Sequence, residues 1–535
     1  MPSTGQPHPN APSWPKTAAP TTASWPKSAS TGLAGERGRA GLAGECGRAY
    51  ASRVAIREGR VVIARIVIVG AGVVGLGAAL LLCGDGHEVT VLERDAEAPP
   101  AGLAEIWGNW QRRGVNQFRL PHFFLARYRG LLDSELPEVK KALAAAGAVR
   151  LNPVLDAPEE LRGAAREEDG AFECVSGRRC VVEAAVASVA GRAPHLEIRR
   201  GTAVAGLVTG PSAHDGVPHV AGVRLGTGEE ITADLVLDMT GRRSPLPRWL
   251  AEIGARPPHD ELDDSGFVYY GRHFRSADGS IPPALGGFLT HLGTISVLTL
   301  PADNGTWSIT LVTSAKDKPL RLLRDPVIWE KAVRSLPLVA HWLDGQPIDD
   351  RVVVLAGIED RHRNLMVDGA PVASGVVPVG DAWACSNPTV GRGVSIGMLQ
   401  AVLLRDTIAG AGLDDPWEFA CSFHHATAEM IEPWYRDTLA GDRHRLAEID
   451  ALIGGGEYRP RDPGWEIGQA FAAAAFKDPD CLRGFVSVAM LLSRAADVAA
   501  RPGLLDKVTA SGGGWRDEPV PAPGRTELLS IIADG

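Results

Sequence analysis

Cysteine is sparse and poorly placed for cross-linking. The 535 residues hold seven (Cys46, Cys83, Cys174, Cys180, Cys385, Cys421 and Cys481), an odd number without a C-x-x-C pair. That spacing supports neither a disulfide framework nor a zinc site, and it suits a soluble protein of the reducing cytoplasm. Positive charge is not in surplus: 55 Lys and Arg against 64 Asp and Glu leave a formal charge of −9. Nucleic acid, whose binding needs clustered excess cations, is therefore excluded as the main ligand. Aromatic residues reach only 6%. No uninterrupted apolar run approaches the ~20 residues of a membrane span. The nearest, Val61–Cys83, is broken by Arg65 and by Gly70, Gly72, Gly75 and Gly77. The opening residues also lack the apolar stretch behind a basic start that marks a signal peptide. His424, His425 and His444 form no H-E-x-x-H pair, and Ser244 has no nucleophile-elbow context, which argues against metal and hydrolase chemistry.

What is present is globular composition, 45% hydrophobic and 22% charged, in a chain long enough for one large or two to three ordinary domains. Glycine (62) and proline (39) are plentiful, and part of that excess falls in residues 1–60. There Ser13-Trp14-Pro15-Lys16 recurs as Ser24-Trp25-Pro26-Lys27, and 32–40 recurs almost unchanged as 41–49. Such repeats bury too little apolar surface to offset the entropy of ordering, so 1–60 is expected to be a disordered low-complexity extension. A small basic arm carrying Arg37, Arg39, Arg48 and Arg53 is the alternative.

The β-branched run Arg65–Val69 reads as a buried parallel strand. Gly70-Ala71-Gly72-Val-Val-Gly75 follows, then a helix-like run Leu76–Cys83, a Gly84-Asp85-Gly86 stop and a second strand, Glu88–Leu92, ending at Glu93. Gly70 permits the tight turn, Gly72 lets the backbone approach a pyrophosphate, and Gly75 lets helix pack on strand. The helix N-terminus faces the negative charge. Glu93 stands where a carboxylate accepts hydrogen bonds from an adenosine ribose, with Arg94 beside it. This is a dinucleotide site, for NAD or FAD alike.

Two later segments carry the decision between them. Ala233–Asp238 is a strand running into Met239-Thr240-Gly241-Arg242-Arg243-Ser244, a D-x-T-G-R-x-S pattern. Val376–Val379 is another, ending in Gly380-Asp381-Ala382 and continuing through Asn387-Pro388-Thr-Val-Gly391-Arg392-Gly393 into the apolar helix Ile396–Arg405. With these segments the chain resembles the FAD-dependent monooxygenases of the aromatic-hydroxylase (class A-like) superfamily over roughly 64–410. Gly380–Pro388, Gly114–His122 and Ala233–Arg275 look most like the polyether-type epoxidases of actinomycetes. The resemblance implies an α/β fold: a Rossmann-like FAD-binding domain of glutathione-reductase type (62–255 and 355–410), an inserted antiparallel β-sheet substrate domain (256–354) and a helical C-terminal region (411–535). It further implies that Asp381 holds the ribityl chain, that the helix opening at Gly391–Gly393 points its positive end at the flavin pyrimidine, and that Arg119 and Gln117 contact the cofactor. For Asp381 a helix N-cap is the structural alternative, and for Arg119 a surface salt bridge.

Among other residues, His122 is expected in a helix, partly buried, with a place beside the flavin ring as the alternative. Cys385 reads as a small packing residue rather than a redox thiol. Thr306-Trp307-Ser308-Ile309-Thr310 lacks the second Trp and the Pro of a tryptophan-halogenase segment and reads instead as one arm of a hairpin turning at Asn304-Gly305. Residues 413–510 are helix-like, with apolar spacing of three and four around Ala420–Leu439 and Gly484–Ala500. The function implied is a cytoplasmic FAD-dependent monooxygenase, a hydroxylase or epoxidase of a small hydrophobic or secondary metabolite, working through a flavin C4a-hydroperoxide. Molecular oxygen is the co-substrate, and NAD(P)H or a partner flavin reductase is the electron source. Three rivals remain: a reductase or desaturase of the geranylgeranyl-reductase kind, a non-halogenating relative of flavin halogenases, and a non-catalytic flavin- or NAD-binding protein.

Overall fold

A computed structural model describes residues 63–533 of the chain. The expected low-complexity extension lies outside the described residues. Arg65–Val69 is a strand, as its β-branched run requires, and it lies at the centre of a five-stranded sheet. The order across that sheet is Val376–Pro378, Leu235–Asp238, Arg65–Val69, Glu88–Glu93, Leu196–Arg200, every neighbouring pair parallel. From the central strand the chain moves outward through Glu88–Glu93 to Leu196–Arg200, then resumes on the opposite side. The register sets Val69 beside Asp238, and Asp238 beside Pro378. The three glycine-bearing loops therefore leave adjacent strands at one carboxyl edge, where the strand order reverses and where open α/β sheets bind ligands.

Both faces of this sheet are covered, which is why its inner strands are mostly apolar, while the edge strand Leu196–Arg200 carries Glu197, Arg199 and Arg200. Ile66 and Ile68 pack in one core with the helices Val73–Gly84, Arg179–Ala190 and Gly393–Ala411. Val67 and Val69 pack in another, against Leu207, Val220, Val223 and Trp249. Among the described residues one helix, Gly393–Ala411, is long and apolar enough to cross a membrane, and ten of its residues are buried in the protein.

A second, antiparallel sheet runs Leu289–Leu292, Ile295–Ala302, Thr306–Ser314, Phe267–Arg275, Gln346–Pro347. The hairpin at its centre turns as expected, with Asn304 and Gly305 both at positive φ, 55° and 66°. Trp307, Trp329 and Trp342 form the core behind it, joined by Leu528 and Ile532 from the last helix, Arg525–Ala533.

One expectation needs correction, and the helix-like C-terminal stretches are helical but divided. His122 is not helical: Pro121–Phe124 is a strand paired with Cys174–Arg178, as the β-preference of Phe123 and Phe124 favours. The stretch Ala420–Leu439 is two helices, Pro416–Met430 and Glu432–Ile453, because Pro433 lacks the N–H that would continue the first ladder. Gly484–Ala500 is likewise divided into Pro479–Ala489 and Ala495–Ala499, with Leu491 in the left-handed region at φ 59° between them.

Candidate functional site

The three loops open onto one cavity of about 1620 Å³, bounded on its other side by the antiparallel sheet and by the helices Pro463–Ala474 and Pro479–Ala489. Of the sequence-derived positions, Gly70, Gly72, Gly75, Glu93, Arg94, Gln117, Gly241, Gly380, Asp381, Gly391 and Gly393 line it. Ala71 does not line it. Its N–H donates to Glu93 Oε2 at 2.9 Å and its carbonyl accepts from Arg112 Nη1 at 2.8 Å, so its role is to hold the loop. Arg119 also stands off the cavity. Its Nη2 donates to the Trp110 carbonyl at 2.6 Å, and its guanidinium lies over the rings of Trp107 and Phe118 at 5.1 and 4.9 Å.

The first loop is shaped for close approach from outside. A Cβ at Gly75 would stand 2.1 Å from the Gly70 carbonyl oxygen, so only glycine lets helix and loop meet there. At Gly72 a Cβ would meet nothing within 4 Å: the space above that residue belongs to the cavity. Gly72 has ordinary extended dihedrals (φ −78°, ψ 178°), so its need for glycine lies in what occupies that space rather than in the backbone.

Glu93 is almost fully buried. It accepts from the Ala71 N–H, from the Asp95 N–H at 3.0 Å and from Arg112 Nη2, and it retains one lone-pair direction for a hydroxyl. Arg112 is the hub here, also donating from Nη1 to Glu183 at 2.7 Å and from Nε to Asp95 at 3.1 Å. In the second loop Asp238 accepts from the Thr240 N–H (3.1 Å), the Thr240 hydroxyl (2.6 Å) and the Ser244 hydroxyl, closing the turn that carries Gly241. Burial raises the pKa of this aspartate, and those hydrogen bonds oppose the shift.

Asp381 decides between its two readings by its partners. The helix Gly393–Ala411 has no side-chain cap, and the Asp381 carboxylate accepts no hydrogen bond from the described residues. It lies beside that helix's N-terminus, where a Cβ on Gly393 would be 3.6 Å from its Oδ1. It lines the cavity. Desolvation raises its pKa, against the pull of Arg179 and Arg242. A carboxylate with unused acceptor capacity, a helix N-terminus and an open space above Gly72 together fit a group with hydroxyls, phosphates and a polar ring, and they fit FAD.

Sequence reasoning missed three features. Arg112 carried no motif. Arg179, which lines the cavity, pairs with Glu183 at 2.7 Å and reaches His122 Nε2 at 3.0 Å. Asn387, in plain view within the third segment, is the centre of a buried network: it accepts from the Tyr269 hydroxyl, and its Nδ2 donates to Asp442 Oδ1 at 2.8 Å. Cys385 is a packing residue, buried, its thiol donating to the Glu359 carbonyl at 3.2 Å and pushed up by burial to about 12.

No protein-family model matches the chain. It is 30% identical over 410 residues to Protein Rv3254 of Mycobacterium tuberculosis, a match covering 71% of this chain and 81% of that protein. The chain belongs to the family of Protein Rv3254. A shorter match joins this member to the PreT subunit of the NAD-dependent dihydropyrimidine dehydrogenase of Escherichia coli, 32% identical over 85 residues, 16% of this chain and 17% of that one. Among solved structures it is similar to pqsL, a probable FAD-dependent monooxygenase from Pseudomonas aeruginosa, with a TM-score of 0.52 at 15% identity, covering 73% of this chain and 96% of that one. This member of the Rv3254 family thus has the mixed α/β fold of that protein.

Proposed function

We propose that the protein is an FAD-dependent monooxygenase that hydroxylates or epoxidises a hydrophobic small molecule. The observation that carries this reading is the convergence of three glycine loops from adjacent strands on one cavity. That cavity exceeds the roughly 300–1,000 Å³ of a single-ligand pocket and leaves room for a second occupant beside a dinucleotide.

In this reading the Gly70–Gly75 turn and the N-terminus of Val73–Gly84 hold the pyrophosphate, while Glu93, braced by Arg112, orients the adenosine ribose. Asp381 holds the ribityl hydroxyls, and the N-terminus of Gly393–Ala411 favours negative charge on the pyrimidine. Bound FAD would supply the activation of dioxygen, with NAD(P)H or a partner flavin reductase as electron source. The chain's own work is placement and dryness: Phe123, Leu300 and Phe485 wall the cavity and exclude water. The flavin-binding part of the chain is then 62–255 with 355–410, the sheet 256–354 forms the substrate side, and the helices of 411–535 complete it.

Incubation of the FAD-loaded, reduced protein with a metabolite extract under isotopically heavy dioxygen tests the activity. A product carrying one heavy oxygen atom is the expected result. Product formation at the same rate without dioxygen would establish a reductase or desaturase instead.

A further inference from the structure

The substrate side of the cavity has an unusual wall. Its strands Leu289–Leu292 and Ile295–Ala302 and its helices Pro463–Ala474 and Pro479–Ala489 contribute no Asp, Glu, Lys or Arg to the lining. Asp156 and Glu518 line it from other segments, but they are engaged by the Asn152 N–H and by Lys477. Phe288, Leu298, Phe471 and Phe485 supply most of the character of that wall. A charged group set against this wall would leave water without an ion-pairing partner from these strands and helices.

Within this apolar wall one polar side chain is held in a built relay. His291 lines the cavity, and its Nδ1 lies 2.8 Å from the Ser296 hydroxyl on the paired strand. Ser296 is buried and accepts from Arg445 Nε at 3.2 Å. Arg445 is fixed in turn by the Gly293 and Ile295 carbonyls at 2.7 and 3.0 Å and by Glu448. With Arg445 donating to it, the Ser296 hydroxyl satisfies its own proton only by donating to His291 Nδ1. The opposite arrangement would bury an O–H without an acceptor, which costs about 1–3 kcal/mol. Nδ1 is then the acceptor and Nε2 carries the proton. His291 is an exposed side chain that lines the cavity, and desolvation, with Arg445 adding to it, lowers its pKa. Nε2 has no partner among the described residues.

We propose that His291 is the substrate-positioning residue of this site, presenting an Nε2–H donor to a carbonyl oxygen of an uncharged, largely apolar substrate. The inference rests on the flavin reading for what lies opposite, but the hydrogen bond and the selectivity stand on the chain's own residues.

The test uses FAD-loaded protein and three probes of one skeleton: anthraquinone, anthracene and anthracene-2-carboxylate. FAD occupancy is measured separately by absorbance, so failure of the flavin reading shows itself before any probe is added. Anthraquinone should bind more tightly than anthracene, and the carboxylate most weakly. His291→Phe, which keeps the ring's bulk, should weaken anthraquinone about tenfold and leave anthracene unchanged. His291→Gln, which retains an N–H at a similar reach, should restore most of the loss. The carbonyl stretch of bound anthraquinone should be lowered in the wild type and in His291→Gln, but not in His291→Phe. The proposal is overturned if neither neutral probe binds, if the carboxylate binds best, or if His291→Phe leaves the carbonyl stretch in place.

Discussion

Arg112 lies 19 residues beyond Glu93 and donates from Nη2 to Oε2 of that carboxylate, with both side chains almost wholly removed from solvent. The same guanidinium binds Glu183, Asp95 and the carbonyl of Ala71, so it ties the end of the second strand to the first glycine loop and to the helix Arg179–Ala190. Arg112→Ala leaves three carboxylates without their shared cation. Breaking a buried pair this way costs about 3–5 kcal/mol, and chemical denaturation of the apo-protein should register a loss of that size. Arg112→Lys should recover only part of it, because a single ammonium cannot reproduce the fork.

Gly72 and Gly75 should respond in opposite ways. Gly72→Val places its side chain in open space on an unstrained backbone, so melting should stay close to wild type while flavin is lost. Gly75→Ala drives a Cβ to 2.1 Å from the Gly70 carbonyl oxygen, so the fold itself should weaken. Melting curves alongside flavin content separate the two.

Asp442 carries a pH dependence. Burial pushes its carboxyl up to about 7 from an ordinary 3.8, with Asp360 adding to the shift and the Asn387 hydrogen bond and Arg392 opposing it. Between those values the native state holds a proton that the unfolded chain has released. This group's contribution is therefore full below about pH 4 and is lost as pH rises through about 7. Asp442→Asn keeps an acceptor for Asn387 and cannot titrate. Denaturation across pH 4–8 should show the wild type losing stability relative to the variant as pH rises, by up to about 4 kcal/mol. A constant difference between the two would contradict it.

Much of this architecture was legible because glycine and β-branched residues carry local information. Arg65–Val69 and Glu88–Glu93 sit where the runs placed them, and the Gly70, Gly241 and Gly380 loops could be ordered along the chain before their shared edge was known. What was not legible depends on contacts distant in sequence. Arg119 stands in the right segment for a cofactor contact, yet Trp107, Trp110 and Phe118 capture it. Arg179 and Arg112 show no spacing that distinguishes them from surface arginines. The His291–Ser296–Arg445 relay spans about 150 residues, a separation no periodicity reports.

Asp381→Ala distinguishes a ligand contact from a structural one. The carboxylate has no protein partner to lose among the described residues, so apo-state melting should be unchanged. A lost charged acceptor is worth about 1.5–3 kcal/mol, so FAD affinity should fall by about ten- to a hundredfold.

The most direct test of the central claim is a titration of FAD into the folded apo-protein, followed by absorbance and by calorimetry, for the wild type and for Gly72→Val. One FAD per chain in the wild type and none in a variant of unchanged melting temperature is the predicted result. Stoichiometric FAD binding to folded Gly72→Val, or none to the wild type, would contradict the assignment of the cavity at the sheet's carboxyl edge as the flavin site.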